Sequence, residues 1–332
     1  MRYGKKFVTL QLLQLLTIMI DILLSTDEGF AMPTGVLMHS IGENNTSPVH
    51  YHVMVGTAFS DESREALSEI AEHYGHTITF YTLTDDIAGD FPVGVGRRPK
   101  HVTRPAYYRL FAAQVLPETL HKVLYLDGDM IVVEPLDELW DTDITGYAVA
   151  VGEQKGFGFC YPDISYPKEQ YGYFNSGMLL INLDYWREKD CLSDFIRYID
   201  EYEDRMLFHD QDVLNGVLYD KKKVLPMRYN MEIMVLMNGF IMRFIKHFRC
   251  YFFPVIIHLN GPIKPWYSNS TNPFTPLWRH YLSLSRWKDM VLEYKEPPYE
   301  QGKGDEYSII RKAMARFPTG AWQKADLRVR DN

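Results

Sequence analysis

Short apolar runs alternate with amphipathic stretches along the first half of the chain, and turn residues separate them. Asp21 to Ser25 is a compact apolar run that reads as a strand. Pro33 and Thr34 open a helical stretch toward Ile41, and Gly42 to Pro48 is rich in turn formers. Val49 to Val55 alternates as a strand. Ser60, followed by Asp61 and Glu62, is positioned to cap a helix that Gly75 can end. Thr77 to Leu83 is β-branched and aromatic, which predicts another strand. After a Gly- and Pro-rich loop from Thr84 to Lys100, Pro105 starts a helix that carries Arg109 and stops before Pro117. The buried run His121 to Leu126 then feeds into Asp127-Gly128-Asp129. Such alternation predicts an α/β fold, with a mostly parallel mixed sheet and helices on both faces.

The second half is less periodic. Tyr147 to Val151 reads as a strand, Tyr173 to Leu183 as a polar turn leading into one, and Asp210 to Asn215 as the start of a helix. Met231 to Ile257 is rich in Met, Phe and Ile, with core packing as the default reading. Leu277 to Lys288 mixes Trp, Tyr and basic residues, which suits either an interfacial helix or an amphipathic helix packed on the domain.

At 332 residues the chain can bury a large core. A net charge of −8 argues against nucleic acid as a partner. The three cysteines, Cys160, Cys191 and Cys250, lack metal-knot spacing and do not form a disulfide framework. They suit a reducing compartment. At the N-terminus, Arg2, Lys5 and Lys6 precede an apolar run from Phe7 to Ile20, the pattern of a signal peptide or short anchor. Gln11 and Gln14 interrupt it, no small-residue cleavage site follows, and it merges with the first strand. Met19 is therefore expected to be the natural start. Residues 1–18 are read as an upstream extension, with a signal anchor as the alternative. The division expected is 1–18, a catalytic domain over 19–272, and a C-terminal tail over 273–332 that contacts membrane or acceptor.

The chemistry concentrates at Asp127 and Asp129. Carboxylates at the carboxyl end of a buried strand lie where open α/β sheets bind ligands. Two of them, one residue apart, can share one hard divalent cation. No Gly-x-Gly-x-x-Gly follows the first strand and no Walker loop occurs, which removes dinucleotide and P-loop readings. A haloacid-dehalogenase-like phosphatase also uses an Asp-x-Asp pair, but the pair here lies in mid-chain and Ile131 stands where that pattern has Thr or Val.

Five separated segments, in order, resemble the family 8 retaining glycosyltransferases of the bacterial lipopolysaccharide galactosyl- and glucosyltransferase type. They are Ser25–Phe30, Tyr125–Asp129, Phe174–Asn182, Asp210–Asn215 and His258–Trp266. The resemblance implies a GT-A fold and transfer of glucose or galactose from UDP-glucose or UDP-galactose to a glycan or glycolipid acceptor. It implies that Asp127, Asp129 and His258 hold Mn²⁺, with Mg²⁺ as the alternative, and the nitrogen ligand tilts the preference toward Mn²⁺. Ser25, Thr26, Asp27, Phe30, His101, Val102, Gly128, Gly261 and Lys264 would bind the nucleotide. In that pocket Asp27 would accept from the uracil N–H, Phe30 would stack on the base, Gly128 would admit the ribose and Lys264 would face the diphosphate. Arg109, Asn175, Asp210 and Gln211 would surround the sugar, and Glu153 would meet the acceptor. Gly29 and Glu153 depart from the family's usual residues. A sugar-nucleotide-binding protein without turnover is therefore the second class. A glutamine amide is a poor nucleophile, which favours front-face displacement over a covalent intermediate. The resemblance also implies a cytoplasmic enzyme, with peripheral contact at the inner face of the cytoplasmic membrane.

Overall fold

The computed structural model describes residues 19–84, 105–154, 165–233, 253–261 and 263–295. The expectations for residues 1–18, His101, Val102, Cys160, Cys250 and 234–252 lie outside the described residues. Strand β1 (Ile20–Thr26) is followed by α1 (Ala31–Asn44), β2 (Val49–Gly56), α2 (Asp61–His73) and β3 (Thr77–Leu83). Next come α3 (Pro105–Tyr108), a 3-10 turn (Arg109–Phe111), α4 (Ala112–Val115), β4 (Lys122–Leu126) and β5 (Met130–Val132). The chain continues through α5 (Asp137–Trp140), β6 (Val149–Gly152), α6 (Lys168–Tyr171), β7 (Met178–Asn182) and α7 (Leu183–Glu188). It then forms α8 (Cys191–Tyr202), α9 (Asp210–Leu218), β8 (Lys222–Leu225), β9 (Met231–Glu232), β10 (Ile256–His258) and α10 (Thr275–Leu282).

Local chemistry accounts for several of these boundaries. The Ser60 hydroxyl accepts from the Ser63 N–H at 3.1 Å, so α2 starts where the sequence places its cap. Helix α1 begins before the Pro33 from which it was read; a proline in the first turn lacks only an N–H that has no helical partner there. Asn182 caps α7 by accepting from the Tyr185 N–H at 3.0 Å.

The main sheet runs β3-β2-β1-β4-β7-β6-β8. Strands β1, β2, β3 and β4 are mutually parallel, and β7 is antiparallel to both β4 and β6. From β1 the chain moves outward to β2 and β3, then returns to place β4 on the other side of β1. That reversal leaves a crevice at the carboxyl ends of β1 and β4, the usual ligand position in such sheets. A second sheet, β5-β10-β9, adjoins it. It is assembled from strands of two or three residues, too short to show a period of their own.

Three apolar clusters hold these layers together. One packs α1 and α2 on the first sheet, with Leu37, Ile41, Leu67 and Tyr51 buried. A second fills the opposite face with Tyr107, Phe174, Trp186, Phe195 and Leu214. The third joins the small sheet to α10 through Ile131, Ile257, Phe274, Trp278 and Tyr281. Thus α10, which lies beyond residue 272, turns its apolar face into this cluster. Among the described residues, no helix is long and apolar enough to cross a membrane.

Candidate functional site

The triplet Asp127-Gly128-Asp129 bridges the two sheets. The Asp127 N–H donates to the Gly177 carbonyl at 2.8 Å, which extends the β4–β7 pairing by one step. The Asp129 carbonyl accepts from the Leu259 N–H at 2.9 Å, which extends the β5–β10 pairing. The two carboxylates are therefore fixed by different sheets and face one another across Gly128. His258 closes β10 and aims Nε2 at both, at 3.2 Å from Asp129 Oδ1 and 3.8 Å from Asp127 Oδ2. One donor atom from each of the three residues lies within 4.8 Å of the others. Two carboxylates and one imidazole are a donor set that suits a borderline divalent cation.

Neighbouring charges shift two of these three groups, Asp129 and His258. Burial works to raise the Asp129 carboxyl, but Lys264 and then His258 outweigh it and hold the group well below the usual carboxylate range. The Lys264 ammonium donates to Asp129 Oδ2 and to the Leu259 carbonyl. Burial works to lower His258, and Asp129, Asp127 and Glu232 together push it up. A cation bound by the imidazole would displace its proton. The other ring nitrogen, Nδ1, faces Asn230 Oδ1 at 3.1 Å, which fixes the ring's direction.

Space is arranged as tightly as charge. A methyl group on Gly177 would lie 2.4 Å from His258 Cε1 and 2.8 Å from Asp127 Oδ2. On Gly128 it would lie 2.9 Å from Thr34 Oγ1 and 3.5 Å from Phe30 Cδ1. Thr34 of α1 and Phe30 of the turn before it are the groups packed against Gly128. The bare backbone there lets the first helix approach the site.

Beside the trio lies a second, internally bonded group. Arg109 is 4 % exposed. Its guanidinium donates to Asp127 Oδ1 at 2.8 Å and to the Ser176 carbonyl at 2.7 Å, and its Nε lies 3.2 Å from Asp210 Oδ2. Arg109 therefore ties the metal-side carboxylate to the Asp210 side of the crevice. Burial raises the Asp210 carboxyl to about 6; Arg109 and Ser176 oppose the shift and Asp127 adds to it. Gln211 Oε1 accepts from Asn175 Nδ2 at 3.0 Å and from the Ser176 N–H at 3.1 Å, while its Nε2 donates to the Tyr173 hydroxyl at 3.2 Å. Asp212 is linked to this group through the Tyr173 hydroxyl, which donates to its Oδ1. It accepts from the Leu207 and Phe208 N–H groups at 2.6 and 2.7 Å, ahead of α9.

Four of the predicted nucleotide residues, Ser25, Thr26, Asp27 and Phe30, lie at the end of β1 or in the turn after it. Asp27 Oδ1 accepts from the Phe30 N–H at 3.0 Å and caps the turn Glu28–Phe30. Phe30 meets Trp266 edge-on, with ring centroids 5.5 Å apart, and the Lys264 ammonium lies 5.5 Å from the same indole. The Thr26 hydroxyl accepts from Thr34 Oγ1 at 3.0 Å, so it is already used within the fold. The Ser25 hydroxyl is buried. Gly261 adopts a left-handed φ of 90°, a conformation open to glycine. Glu153 follows β6, its N–H donating to the Leu225 carbonyl at 2.8 Å.

Four contributors escaped the sequence reading as site residues. Tyr125, two positions before Asp127, donates its hydroxyl to Asp127 Oδ1 at 2.7 Å; its place on the strand face of Asp127 was the available signal. Ser176 binds Asp210 Oδ2 at 3.1 Å, and Tyr173 braces Gln211. Asn230 had no local signal, yet it touches both His258 and, at 2.9 Å, Asn175.

A mixed GT-A sheet with an Asp-x-Asp turn at its switch point defines a glycosyltransferase. The family model for glycosyl transferase family 8 matches residues 21–270, and the chain belongs to that family. General stress protein A of Bacillus subtilis is 28% identical over 270 residues, covering 79% of this chain and 92% of the relative. The lipopolysaccharide glucosyltransferase WaaO of Escherichia coli is 28% identical over 284 residues, covering 82% and 80% of the two chains. Among solved structures, the galactosyltransferase LgtC in complex with donor and acceptor sugar analogs superposes with a TM-score of 0.68. It is 25% identical and covers 82% of this chain and 100% of that one.

Proposed function

We propose that the chain is a metal-dependent retaining hexosyltransferase that moves glucose or galactose from a UDP-sugar to a hydroxyl of a glycan acceptor. The proposed setting is lipopolysaccharide or cell-surface polysaccharide synthesis, at the cytoplasmic side of the membrane. The observation that carries this reading is the convergence of Asp127, Asp129 and His258 at the switch point, with Lys264 adjoining Asp129. Relatives whose names describe glucosyl and galactosyl transfer to lipopolysaccharide support the donor and acceptor classes.

Asp127, Asp129 and His258 would hold the cation, with Mn²⁺ preferred over Mg²⁺ because one ligand is an imidazole nitrogen. When bound, it supplies Lewis-acid charge to the leaving diphosphate. Lys264 adds a point charge on the same side. Phe30 and Asp27 form the base end of the pocket and Gly261 the phosphate side. Asn175, Asp210 and Gln211 face the sugar, and Glu153 the acceptor. Arg109 acts mainly by orientation, since its Nε donates to the Ala106 carbonyl and its terminal nitrogens to Ser176 and Asp127, with Asp210 as an ion-pair neighbour. The Gln211 amide has both ends bonded to the protein, so it holds position and does not attack. In the proposed front-face step, the bond from the anomeric carbon to the diphosphate oxygen breaks and a bond to the acceptor oxygen forms on the same face. The acceptor proton passes to the departing phosphate oxygen. Incubation with UDP-glucose or UDP-galactose, Mn²⁺ and simple sugar acceptors tests this reading. UDP release with an α-linked product is expected; binding without turnover would leave a sugar-nucleotide-binding protein.

A further inference from the structure

A second convergence of metal-ligating side chains lies at the other end of the same strands. Asp21 begins β1, and His50 and His52 sit on β2. In the parallel register Asp21 pairs with His50 and Leu23 with His52, which brings both imidazoles beside one carboxylate. Asp21 Oδ1 is 3.0 Å from His52 Nε2 and 3.8 Å from His50 Nδ1. One ligand atom from each residue lies within 4.8 Å of the others. Along β1, Asp21 and the catalytic-end residue Asp27 are about 20 Å apart at ~3.3 Å per residue. The cluster therefore takes no part in the Asp127–Asp129 site.

We propose that Asp21, His50 and His52 form a zinc site that fastens β1 to β2. Ligands on a tetrahedral zinc, with bonds of about 2.0–2.1 Å, stand roughly 3.3–3.4 Å apart. The two separations at Asp21 bracket that value, so small side-chain rotations suffice. Each ring's outward nitrogen has a hydroxyl partner: His52 Nδ1 meets Tyr81 OH at 3.0 Å, and His50 Nε2 meets Thr79 Oγ1 at 2.9 Å. Both partners lie on β3, so a third strand fixes the ring directions and tautomers that a metal requires. The rings stack at 4.1 Å, which holds them side by side. The His50 and Asp21 side chains are 27% and 16% exposed, leaving room for water to complete the shell. Two nitrogens and one oxygen favour zinc over Mg²⁺ or Mn²⁺.

Equilibrium dialysis against Zn²⁺, followed by elemental analysis, tests the site in the full chain. Two zinc ions per chain are expected in the wild type, one at each cluster, and one in His50→Ala. His50→Gln, which preserves side-chain bulk, is expected to lose the same ion, and circular dichroism verifies that each variant folds. Zinc at a hundredfold excess over its dissociation constant is expected to raise the wild-type melting midpoint by about 5 °C more than that of His50→Gln. Mn²⁺-supported donor turnover is expected to be equal in wild type and His50→Gln. Equal zinc content in wild type and both variants would overturn the proposal.

Discussion

Gly177→Ala is a perturbation of one methyl group aimed at the centre of the site. The new Cβ would stand 2.4 Å from His258 Cε1. Ordinary carbon contacts begin at about 3.5 Å, so ring and backbone must separate by roughly 1 Å. Neither can yield easily. The Gly177 carbonyl holds the Asp127 N–H, its own N–H donates to Asn175 Oδ1 at 2.9 Å, and the His258 ring is pinned by Asn230. Metal sites tolerate displacements of about 0.2 Å, so a shift of that size takes the imidazole off the cation. A loss of roughly 10- to 100-fold in Mn²⁺ affinity is expected, the range seen when a ligand's support is removed. That loss corresponds to about 1.4–2.7 kcal/mol of binding. Overpacking adds a folding cost of about 1–3 kcal/mol, which thermal melts read separately. Mn²⁺ titration followed by electron paramagnetic resonance gives the affinity directly. A variant that melts like the wild type and binds Mn²⁺ equally well would show that His258 does not need the position it occupies.

Other perturbations separate the remaining roles. Asn230→Ala leaves the His258 ring without its Nδ1 partner, and Mn²⁺ affinity is expected to fall about tenfold, beside a folding cost of about 1–3 kcal/mol that a thermal melt reads separately; unchanged affinity would remove Asn230 from the site. Asp210, raised to about 6 by burial, is ionised only above that pH, so donor turnover is expected to rise through an apparent pKa near 6. In Asp210→Asn the residual turnover should lack that acidic limb; an identical limb in the variant would assign it to another group. His39 is pushed down to about 4, chiefly by burial, then by His73, with Glu43 opposing. The unfolded chain therefore binds a proton below about 6.5 that the folded chain refuses until about 4, so stability falls as pH drops through this window. The contribution reaches about 3 kcal/mol at the acid end, and His39→Gln should flatten the acid slope of denaturant-derived stability by that order.

What the sequence revealed depended on how local each cause is. The cap at Ser60, the buried run into Asp127 and the start of α9 at Asp210 each rest on neighbours within one turn or strand. All of them could be read directly. The small sheet could not, because β5, β9 and β10 are too short to carry a pattern and acquire their identity by pairing Ile257 with Ile131 and Met231. The same limit applied to Arg109. Nothing in α3 or the turn after it says that a guanidinium will be buried; its partners Asp127, Ser176 and Asp210 arrive from later elements. Likewise, nothing around Gly128 in the sequence announces that Thr34 packs against it. Proximity in the fold, not residue type, decides both.

Calorimetric titration of UDP into the chain, with and without Mn²⁺, in wild type and Asp129→Asn, bears most directly on the trio of Asp127, Asp129 and His258. Wild-type binding that strengthens at least tenfold with Mn²⁺, and a variant in which that gain disappears, is the predicted result. UDP binding of equal strength with and without the metal, unchanged in Asp129→Asn, would contradict it.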